Sequence, residues 1–303
     1  MFARRSSSLF FLKAGVRNGP RFSFLSNKIA CVSNGFGKSR TPAYARPPKG
    51  YPLGTNIYFR VCSKIVIPIL KALTKRDWRG MENVPKSGAV IVACNHMSYA
   101  DPLVFAHYLY ANGRAPRFLG KESVFRVPVI GRIVSGAGQI PMHRESDRAT
   151  EAVDHALNAL SLGHCLGIYP EGTLTRDPDL WPMVAKTGLA RLALKSRMPV
   201  IPFAQWGDQN LLPRYGKRVT LWKRTKVTIV AGPPVDLSEW FEKADDHDAQ
   251  VAATQKVMKA ITTLLEEIRG ESAPAVIFDP HTSELQRVGK FTAEKPAKAR
   301  NRK

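Results

Sequence analysis

Two short polar segments of this chain combine residue types that suit proton transfer and anion binding. In the first, which runs from Asn95 to Asp101, His96 stands five residues before Asp101. A carboxylate that accepts a hydrogen bond from one imidazole nitrogen fixes the tautomer and stabilises the protonated ring, so this pair is a candidate general base. The second segment, Tyr169 to Thr173, reads Y-P-E-G-T. Its glycine permits a tight turn, and the exposed N–H groups of such a turn suit a phosphate or another polar headgroup.

The first segment lies where a strand is predicted to give way to a helix. Residues 89–94 form a short apolar run that is typical of a buried strand. Asp101 and Pro102 suit a helix start, with Asp101 as the cap, and the helix is predicted over residues 103–110. Residues five apart do not face each other on a continuous helix, so the chain must turn between His96 and Asp101 for their side chains to meet. The alternative is that Asp101 only caps the helix and His96 is an ordinary loop residue.

Three further segments follow in a consistent order along the chain. Residues 165–169 predict a second buried strand directly before the glycine turn. Arg144 ends the run G-Q-I-P-M-H-R and could bind a phosphate with two nitrogens of its guanidinium group. Residues 199–203 predict an apolar strand with a proline pair that is typical of a sheet edge or a strand start. Taken singly, each segment has a plain alternative: a strand-end turn, a solvated arginine or a structural proline pair.

Together and in this order, the four blocks resemble the glycerolipid acyltransferase family typified by lysophosphatidate acyltransferase, over roughly residues 78–234. The resemblance implies that His96 is the general base and that Asp101 orients it. It also implies a set of substrate-binding residues, which are Asn95, Arg144, Glu171, Gly172 and Thr173. Residues 199–202 look like the fourth block of the family, which is linked to the acyl donor or to structure.

The third block departs from the family pattern. It usually reads E-G-T-R, whereas Leu174 stands here in place of the arginine. Arg176 and Lys186 are the candidate cations that could replace that arginine at a substrate phosphate. The departure leaves the acceptor open between lysophosphatidate and a related molecule, which could be glycerol 3-phosphate, another lysophospholipid or a glycolipid.

The reaction that the resemblance implies moves a fatty acyl group from acyl-CoA or acyl carrier protein to the sn-2 hydroxyl of lysophosphatidate, which gives phosphatidate in phospholipid biosynthesis. The acyl thioester is a co-substrate, and neither a cofactor nor a metal ion is expected. An imidazole with a pKa of about 6.5 can take the hydroxyl proton near neutral pH. No G-x-S-x-G nucleophile motif occurs, so no covalent intermediate is required. The alternative is a non-enzymatic, lipid-binding relic of such a domain.

The positive charge of the chain is concentrated at its two ends. The net charge is +22, and residues 1–50 hold ten Lys and Arg with no Asp or Glu. Residues 284–303 hold seven basic residues against two acidic ones. Such tails favour an anionic partner, and we expect an anionic membrane surface. No nucleic-acid partner is expected, because the chain has no zinc-ligand spacing and no nucleic-acid-binding motif.

One segment is a candidate for lying in the lipid interface. Residues 57–73 are amphipathic, with basic residues among the apolar ones and a predicted kink at Pro68. The alternative is a helix that packs on the domain's own core. No apolar run of about 18 residues occurs, so a membrane-spanning helix is not predicted. We expect a peripheral protein at the cytoplasmic face of a bacterial plasma membrane, while the N-terminal segment leaves organelle targeting open.

The predicted organisation is one α/β domain with extensions. Strands alternate with helices, which predicts a single mixed, largely parallel sheet flanked by helices. The remaining predicted elements are helices over residues 148–162, 188–196 and 248–269 and a strand over residues 227–230. In chain order, the predicted regions are a basic disordered extension that could be a targeting segment (1–50), an amphipathic membrane-interface helix (51–76), the acyltransferase catalytic domain (77–270) and a basic disordered tail (271–303).

Overall fold

A single sheet of seven strands organises the part of the chain that the computed structural model describes, which is residues 51–142, 146–216, 218–221, 223–280 and 282. The strands are β1 (Thr74–Arg79), β2 (Val90–Cys94), β3 (Pro116–Lys121), β4 (Ile140–Met142), β5 (Cys165–Ile168), β6 (Val200–Trp206) and β7 (Thr225–Ala231). The α-helices are α1 (Ile57–Leu73), α2 (Asp101–Ala111), α3 (Glu122–Phe125), α4 (Ile130–Gly136), α5 (Ser146–Ser161), α6 (Gly188–Ser196), α7 (Asp208–Leu211) and α8 (His247–Arg269).

The sheet has the order β1-β7-β6-β2-β5-β3-β4, and all neighbouring strands are parallel except the antiparallel pair β6 and β7. The predicted fold class, a single mixed and largely parallel sheet flanked by helices, is therefore confirmed. β2 lies in the middle, between β6 and β5. Because these three strands are parallel, their carboxyl ends meet at one edge of the sheet, where open α/β sheets place their ligands.

Helices cover both faces of the sheet, and β2 shows why a central strand is apolar throughout. Two of its side chains, Ile91 and Ala93, pack in the core cluster formed with α5, α6 and α8. The alternate side chains, Val90, Val92 and Cys94, pack in the cluster formed with α1 and α2. Successive side chains of a strand point to opposite faces, so a strand buried on both faces reads as one continuous apolar run. The strand predicted over residues 89–94 is confirmed.

The N-terminal helix α1 has the bounds that the sequence predicts, Ile57–Leu73. Asn56 caps it, because Oδ1 of this side chain accepts a hydrogen bond from the N–H of Phe59 over 2.9 Å. Leu70 is buried against the domain, whereas Ile65 remains 58% exposed. The helix therefore packs on the core with one face and leaves the other uncovered. Among the described residues, no helix is long and apolar enough to cross a bilayer.

The first strand of the sheet is absent from the sequence-based prediction. β1 pairs in parallel with β7 along its whole length, at the edge of the sheet. Its sequence, T-K-R-D-W-R, is largely charged and offers no apolar run, because an edge strand needs few buried side chains. β1 crosses the predicted boundary between residues 76 and 77. The sheet therefore begins at Thr74, directly after α1.

Two local predictions at element ends are wrong. Asp101 is the first residue of α2 and not its cap, since the cap position is Ala100. The Asp101 carboxylate instead accepts hydrogen bonds from the turn that precedes the helix. Of the predicted proline pair, Pro199 directly precedes β6, as the strand-start alternative predicts, whereas Pro202 lies inside β6, between β2 and β7, and not at an edge. The sheet tolerates this proline because the registered pairs with β7 start one residue later, at Phe203.

Residues 271–280 contain no helix or strand, but hydrogen bonds hold them on the domain. The N–H of Ala273 donates to Glu266 Oε1 over 2.8 Å, and the N–H of Val184 donates to the Phe278 carbonyl over 2.9 Å. The prediction of disorder from residue 271 is therefore wrong for this segment. The predicted extension over residues 1–50 and the rest of the predicted tail, apart from Thr282, lie outside the described residues.

Candidate active site

The candidate base and its carboxylate meet in the turn after β2. Nδ1 of His96 lies 2.9 Å from Oδ2 of Asp101, and the Asp101 side chain is fully buried while His96 keeps 15% of its side-chain exposure. The same Oδ2 accepts the N–H of Met97 over 2.6 Å and that of Ser98 over 2.8 Å. Donors of this kind favour the ionised carboxylate. With Nδ1 directed at Asp101, Nε2 is the nitrogen left to accept a proton from outside.

The ring of His96 is also held from its face, by a residue to which the sequence analysis assigns no role. Tyr169 stacks on His96 with ring centroids 4.1 Å apart and planes 22° apart. Phe118 in turn stacks on Tyr169 at 6.0 Å and 14°. Tyr169 follows β5, so the stack joins the ends of two neighbouring strands. The only signal in the sequence is an aromatic residue directly before the Pro-Glu-Gly turn.

Glu171 faces the protein interior and positions the His96 loop. It is 2% exposed, its Oε1 accepts the N–H of His96, and its Oε2 accepts the N–H of Met183, both over 3.1 Å. Burial raises the pKa of this carboxyl to about 8. The carbonyl of His96 accepts the N–H of Thr175 over 2.7 Å, so both backbone groups of the candidate base are bonded to the glycine-turn segment. The Glu171 carboxyl group is thus bonded to the protein backbone on both oxygens, and its predicted substrate contact stays a prediction.

The side chain of Asn95 likewise forms hydrogen bonds with the backbone. Its Oδ1 accepts the N–H of Gln205 over 2.9 Å, and its Nδ2 donates to the carbonyl of the same residue over 3.1 Å. Asn95 is buried, and both ends of its amide are used. The side chain thus links the end of β2 to the end of β6, and its predicted substrate contact stays a prediction.

The glycine turn itself is accessible. Gly172 is exposed and has a φ of 70°, a conformation that favours glycine, and Thr173 is half-buried. The exposed Lys186 passes over this turn, since a Cβ added at Gly172 would lie 3.3 Å from Lys186 Cδ. These three predicted substrate-binding residues are therefore brought together at the same edge as His96.

The residue that replaces the usual arginine, Leu174, is buried and apolar, but a cation stands two positions further on. Arg176 is 3% exposed, and its Nη1 has no hydrogen-bond partner among the described residues. Arg214 clamps the same turn, because its Nη1 donates to the carbonyls of Thr175 and Asp177 over 2.9 and 2.6 Å. The other predicted cation, Arg144, lies outside the described residues.

The arrangement suits attack by a hydroxyl group from outside the protein. The nearest hydroxyl in the turn, Ser98 Oγ, donates to the Leu212 carbonyl over 2.6 Å. The nearest thiol, Cys94, is fully buried, and burial raises its pKa well above the usual value. The N–H groups of residues 96–98 all donate to side-chain carboxyl oxygens of Glu171 and Asp101, so they are not free to bind a substrate. Among the described residues, no group of three His, Cys, Asp or Glu side chains could hold a metal ion.

Comparisons with known proteins find similarity to acyltransferases. The model of a family described as Acyltransferase matches residues 75–206, which include the His96 loop and the glycine turn. A 1-acyl-sn-glycerol-3-phosphate acyltransferase of Borreliella burgdorferi is 29% identical over 207 residues, which cover 68% of this chain and 79% of that protein. A chloroplastic 1-acyl-sn-glycerol-3-phosphate acyltransferase of Brassica napus is 30% identical over 141 residues, so the match covers 46% of this chain and only 39% of that relative.

A solved structure has the same fold. The crystal structure of PlsC, the 1-acyl-sn-glycerophosphate acyltransferase of Thermotoga maritima, matches with a TM-score of 0.56 and 21% identity over 71% of this chain and 81% of that chain. At this identity the likeness shows the shared fold alone. The family model and the relatives support the resemblance that the four sequence blocks carry: residues 75–206 match the Acyltransferase family, and the chain is similar to 1-acyl-sn-glycerol-3-phosphate acyltransferases.

Proposed function

We propose that this chain transfers a fatty acyl group from acyl-CoA or acyl carrier protein to the sn-2 hydroxyl of lysophosphatidate, giving phosphatidate. The observation that carries the proposal is the 2.9 Å contact between His96 Nδ1 and the buried Asp101, which leaves Nε2 as the accepting nitrogen. The names of the relatives support the choice of acceptor, because those proteins are described as acting on 1-acyl-glycerol phosphates.

The proposed mechanism needs one proton shuttle. His96 Nε2 takes the proton of the acceptor hydroxyl while its oxygen attacks the thioester carbonyl. The tetrahedral intermediate then expels the thiolate, which receives the proton back from the imidazolium. Asp101 stabilises the imidazolium between these two steps. A positioned base of this kind contributes about 10²–10⁴ in rate, and binding of the two substrates in the right orientation supplies more.

A phosphate on the acceptor gives the unsatisfied cation a partner. A buried guanidinium nitrogen without a hydrogen bond is unfavourable, and a phosphate oxygen is a strong acceptor for it. Arg176 would bind the phosphate from the interior side and Lys186 from the exposed side of the glycine turn. Glycerol 3-phosphate and other lysophospholipids share this group, so they remain rival acceptors. A glycolipid without phosphate would leave Arg176 unpaired.

Peripheral binding to an anionic membrane would bring the lipid substrate to the site. Helix α1 exposes a stripe of apolar side chains at intervals of four residues: Ile57, Val61, Ile65 and Ile69. Lys64 and Lys71 are exposed on the same helix. Apolar side chains that insert below the headgroups, together with lysines that pair with anionic lipids, form an interfacial helix. The cytoplasmic face of the plasma membrane is the proposed location.

Helix α4 carries further exposed apolar residues, which the sequence does not predict. Val129 and Ile130, at the start of α4, are 64% and 50% exposed. The other end of α4 lies against α1, because Asn56 Nδ2 donates to the Gly136 carbonyl over 2.7 Å. The ring of Tyr58 also covers Gly136, where an added Cβ would approach Tyr58 Cγ to 2.6 Å. We refer to the exposed apolar residues of α1 and α4 as the α1–α4 surface.

The first experiment measures phosphatidate formation by the purified protein from lysophosphatidate, with acyl-CoA and acyl carrier protein as alternative donors. We expect product with at least one donor and a loss of at least about 10³-fold in His96→Ala, because the base is removed. His155→Ala, which changes an exposed histidine of α5, is the matched control and keeps wild-type turnover. Wild-type turnover in His96→Ala would refute the base. No product from either donor would redirect the search to other acceptors or to the non-enzymatic alternative.

The second experiment tests the phosphate contact through Arg176. We expect Arg176→Ala to raise KM for lysophosphatidate by about tenfold or more with a smaller change in kcat, because a charge-assisted hydrogen bond to a phosphate is worth about 1.5–3 kcal/mol. Arg79→Ala, at an exposed arginine that pairs with Asp77, is the control and leaves KM unchanged. An unchanged KM in a folded Arg176→Ala protein would assign this arginine a structural role only.

A further inference from the structure

A set of buried polar atoms without hydrogen-bond partners lies next to the His96–Asp101 pair. Among the described residues, no hydrogen bond of normal geometry is made by Oδ1 of Asp101, the hydroxyl of Tyr169, the side-chain amide of Gln205 or either carboxyl oxygen of Asp208. Asp101, Gln205 and Asp208 are completely buried. We call these four residues the inner cluster. Buried polar atoms are nearly always paired in native proteins, so this concentration at one place requires an explanation.

The fold brings the inner cluster together from three strands. Asp101 follows β2, Tyr169 follows β5, and Gln205 and Asp208 lie at the end of β6. The charges of Asp101 and Asp208 act on each other and on the Tyr169 hydroxyl, and the Gln205 side chain lies beside that hydroxyl without a hydrogen bond of normal geometry. The cluster therefore occupies the same carboxyl edge as the candidate base.

Gly207 allows the chain to reach this position. Its φ is 108°, and an added Cβ would lie 2.1 Å from the carbonyl oxygen of Lys226 on β7. Only glycine fits such a close approach between backbones. The tight turn against β7 leaves the next residue, Asp208, completely buried at the end of β6.

The two carboxyl groups of the inner cluster have very different surroundings. Oδ2 of Asp101 accepts three donors, which are His96 Nδ1 and the N–H groups of Met97 and Ser98. No described donor reaches either oxygen of Asp208. Two buried carboxylates that repel each other do not both ionise, and the proton goes to the group with the poorer stabilisation of its charge. Burial and the neighbouring Asp101 accordingly raise the pKa of Asp208 well above its usual value.

We propose that Asp208 carries a proton in the working protein and is a positioning residue that leaves the negative charge on Asp101, where it pairs with His96. A protonated Asp208 is a hydrogen-bond donor, and the inner cluster holds two acceptors without a described partner, Asp101 Oδ1 and Gln205 Oε1. An ionised Asp208 would place a second negative charge in the inner cluster and favour the protonated form of His96, which is not the form that accepts a proton. The effect on turnover rests on the proposed role of His96; the protonation of Asp208 does not.

The other titratable groups around the pair leave this assignment unchanged. Cys94 and Tyr169 are kept uncharged because burial raises the pKa of both groups well above the usual values. Glu171, which interacts with Asp101 and Cys94, has its pKa raised to about 8 and is therefore largely protonated near neutral pH. Asp101 thus supplies the local negative charge that His96 meets.

The first test compares the wild type with Asp208→Asn, a variant that cannot ionise at position 208 but can still donate a hydrogen bond. The NMR titration of the His96 ring, without substrate, is expected to give the same midpoint in Asp208→Asn as in wild type, within about 0.3 pH unit. A midpoint lowered by about one unit in Asp208→Asn would show that wild-type Asp208 is ionised and would overturn the proposal. Asp245→Asn, which changes an exposed carboxylate paired with Lys195, is the matched control and leaves the midpoint unchanged.

Steady-state kinetics provide a second measurement, which distinguishes a positioning role of Asp208 from a purely structural one. In Asp208→Leu the side chain keeps its size but donates no hydrogen bond. We expect kcat to fall about tenfold with KM unchanged within about twofold, because the defect reaches His96 through Asp101 and not through the substrate. Asp208→Asn, which can still donate, is expected to restore most of that loss. Equal kcat values for the leucine and asparagine variants would overturn the positioning role.

A measurement on the wild-type protein keeps the proposal testable if either variant fails to fold. Infrared spectra of protein labelled with ¹³C-aspartate should show a protonated carboxyl band that shifts with the label and persists from about pH 6 to about pH 8. Absence of that band would overturn the proposal. Neither this spectrum nor the titration requires turnover, so a failure of acyl transfer to lysophosphatidate would leave both results interpretable.

Discussion

The His96 turn and the α1–α4 surface solve opposite physical problems. In the turn, buried side chains of Asp101 and Glu171 bind the backbone N–H groups of three successive residues, so the position of the imidazole is fixed. On the α1–α4 surface, Ile65 and Val129 stand largely uncovered and contribute little to folding. Proton transfer requires a fixed geometry. Binding to lipid instead requires apolar side chains that stay exposed to water, at a cost in free energy, until a partner covers them.

This difference predicts separate responses to mutation. Removal of one partner of a buried hydrogen bond leaves the other unsatisfied and destabilises the fold by about 1–3 kcal/mol per group. A change at an exposed apolar side chain usually alters stability by less than about 0.5 kcal/mol. Variants in the turn should therefore lose both stability and activity, while variants on the surface should lose only contact with lipid.

Apart from loss of the base itself, the largest effect is expected at Glu171, whose carboxyl group holds the base loop. Glu171→Ala leaves the N–H groups of His96 and Met183 buried without acceptors. We expect a loss of about 2–5 kcal/mol in the free energy of unfolding and a fall in kcat of about 10²-fold, because a small displacement of the base is enough to reduce turnover strongly. Denaturant unfolding and steady-state kinetics measure the two quantities.

The control for this prediction is Glu267→Ala, which removes an exposed carboxylate that pairs with Arg79. It should leave stability and kcat near wild type, since exposed ion pairs contribute little. If Glu171→Ala kept wild-type stability and raised only KM for the acceptor, Glu171 would be a substrate ligand after all, and the contrast between the two regions would lose its main support.

The α1–α4 surface should respond in the opposite way. We expect the double variant Ile65→Asp, Ile69→Asp to weaken binding to vesicles of anionic phospholipid by at least about tenfold, because each buried isoleucine contributes about 1.5–3 kcal/mol. The midpoint of thermal unfolding should change little, since both side chains are exposed in the folded protein. Vesicle co-sedimentation and calorimetry measure the two properties.

Ile277→Asp is the matched control, because Ile277 is as exposed as Ile65 but lies outside α1 and α4. It should bind vesicles like the wild type. Turnover on monomeric, short-chain lysophosphatidate should also be unaffected in the double variant, since the His96 turn is intact. If the double variant bound vesicles normally, α1 would be a helix that serves the domain alone.

The sequence predicts best those elements in which apolar residues form either a continuous run or a regular period. The apolar runs that became β2 and β5 and the periodic pattern of α1, α6 and α8 led to elements within one or two residues of the predicted bounds. β1 escaped prediction because an edge strand can be charged. Pro202 was misplaced because proline is unfavourable in a central strand except where the adjacent ladder has not yet begun.

The sequence identifies which residues lie near the site. It does not indicate which way their side chains face. The spacing of His96 and Asp101 indicated that a turn could join them, and it does. Whether Glu171 and Asn95 face a substrate or the backbone depends on residues 75 and 110 positions away along the chain, which only the arrangement of β2, β5 and β6 brings together. Asp208 belongs to no motif, and only its burial beside Asp101 draws attention to it.

The smallest effect concerns the dependence of folding stability on pH. It arises from two histidines, His107 and His164, that are buried in the domain away from His96. Burial, with nearby cationic residues, lowers the pKa of His107 and of His164 to about 4. In the unfolded chain both would titrate near 6.5, so the unfolded state binds more protons between about pH 6.5 and about pH 4. Stability is therefore present above pH 6.5 and falls as the pH drops through this window, by up to about 1.4 kcal/mol per pH unit for each histidine.

His107→Leu should reduce this dependence on pH, because leucine cannot bind the proton that favours the unfolded chain. Denaturant unfolding at about pH 7 and about pH 5 measures the difference, with His155→Leu at an exposed histidine as the control that keeps the wild-type slope. An unchanged slope in His107→Leu would mean that this ring titrates normally inside the fold. Water would then reach the His107 ring in the folded protein, and the contrast with the partly exposed His96 would weaken.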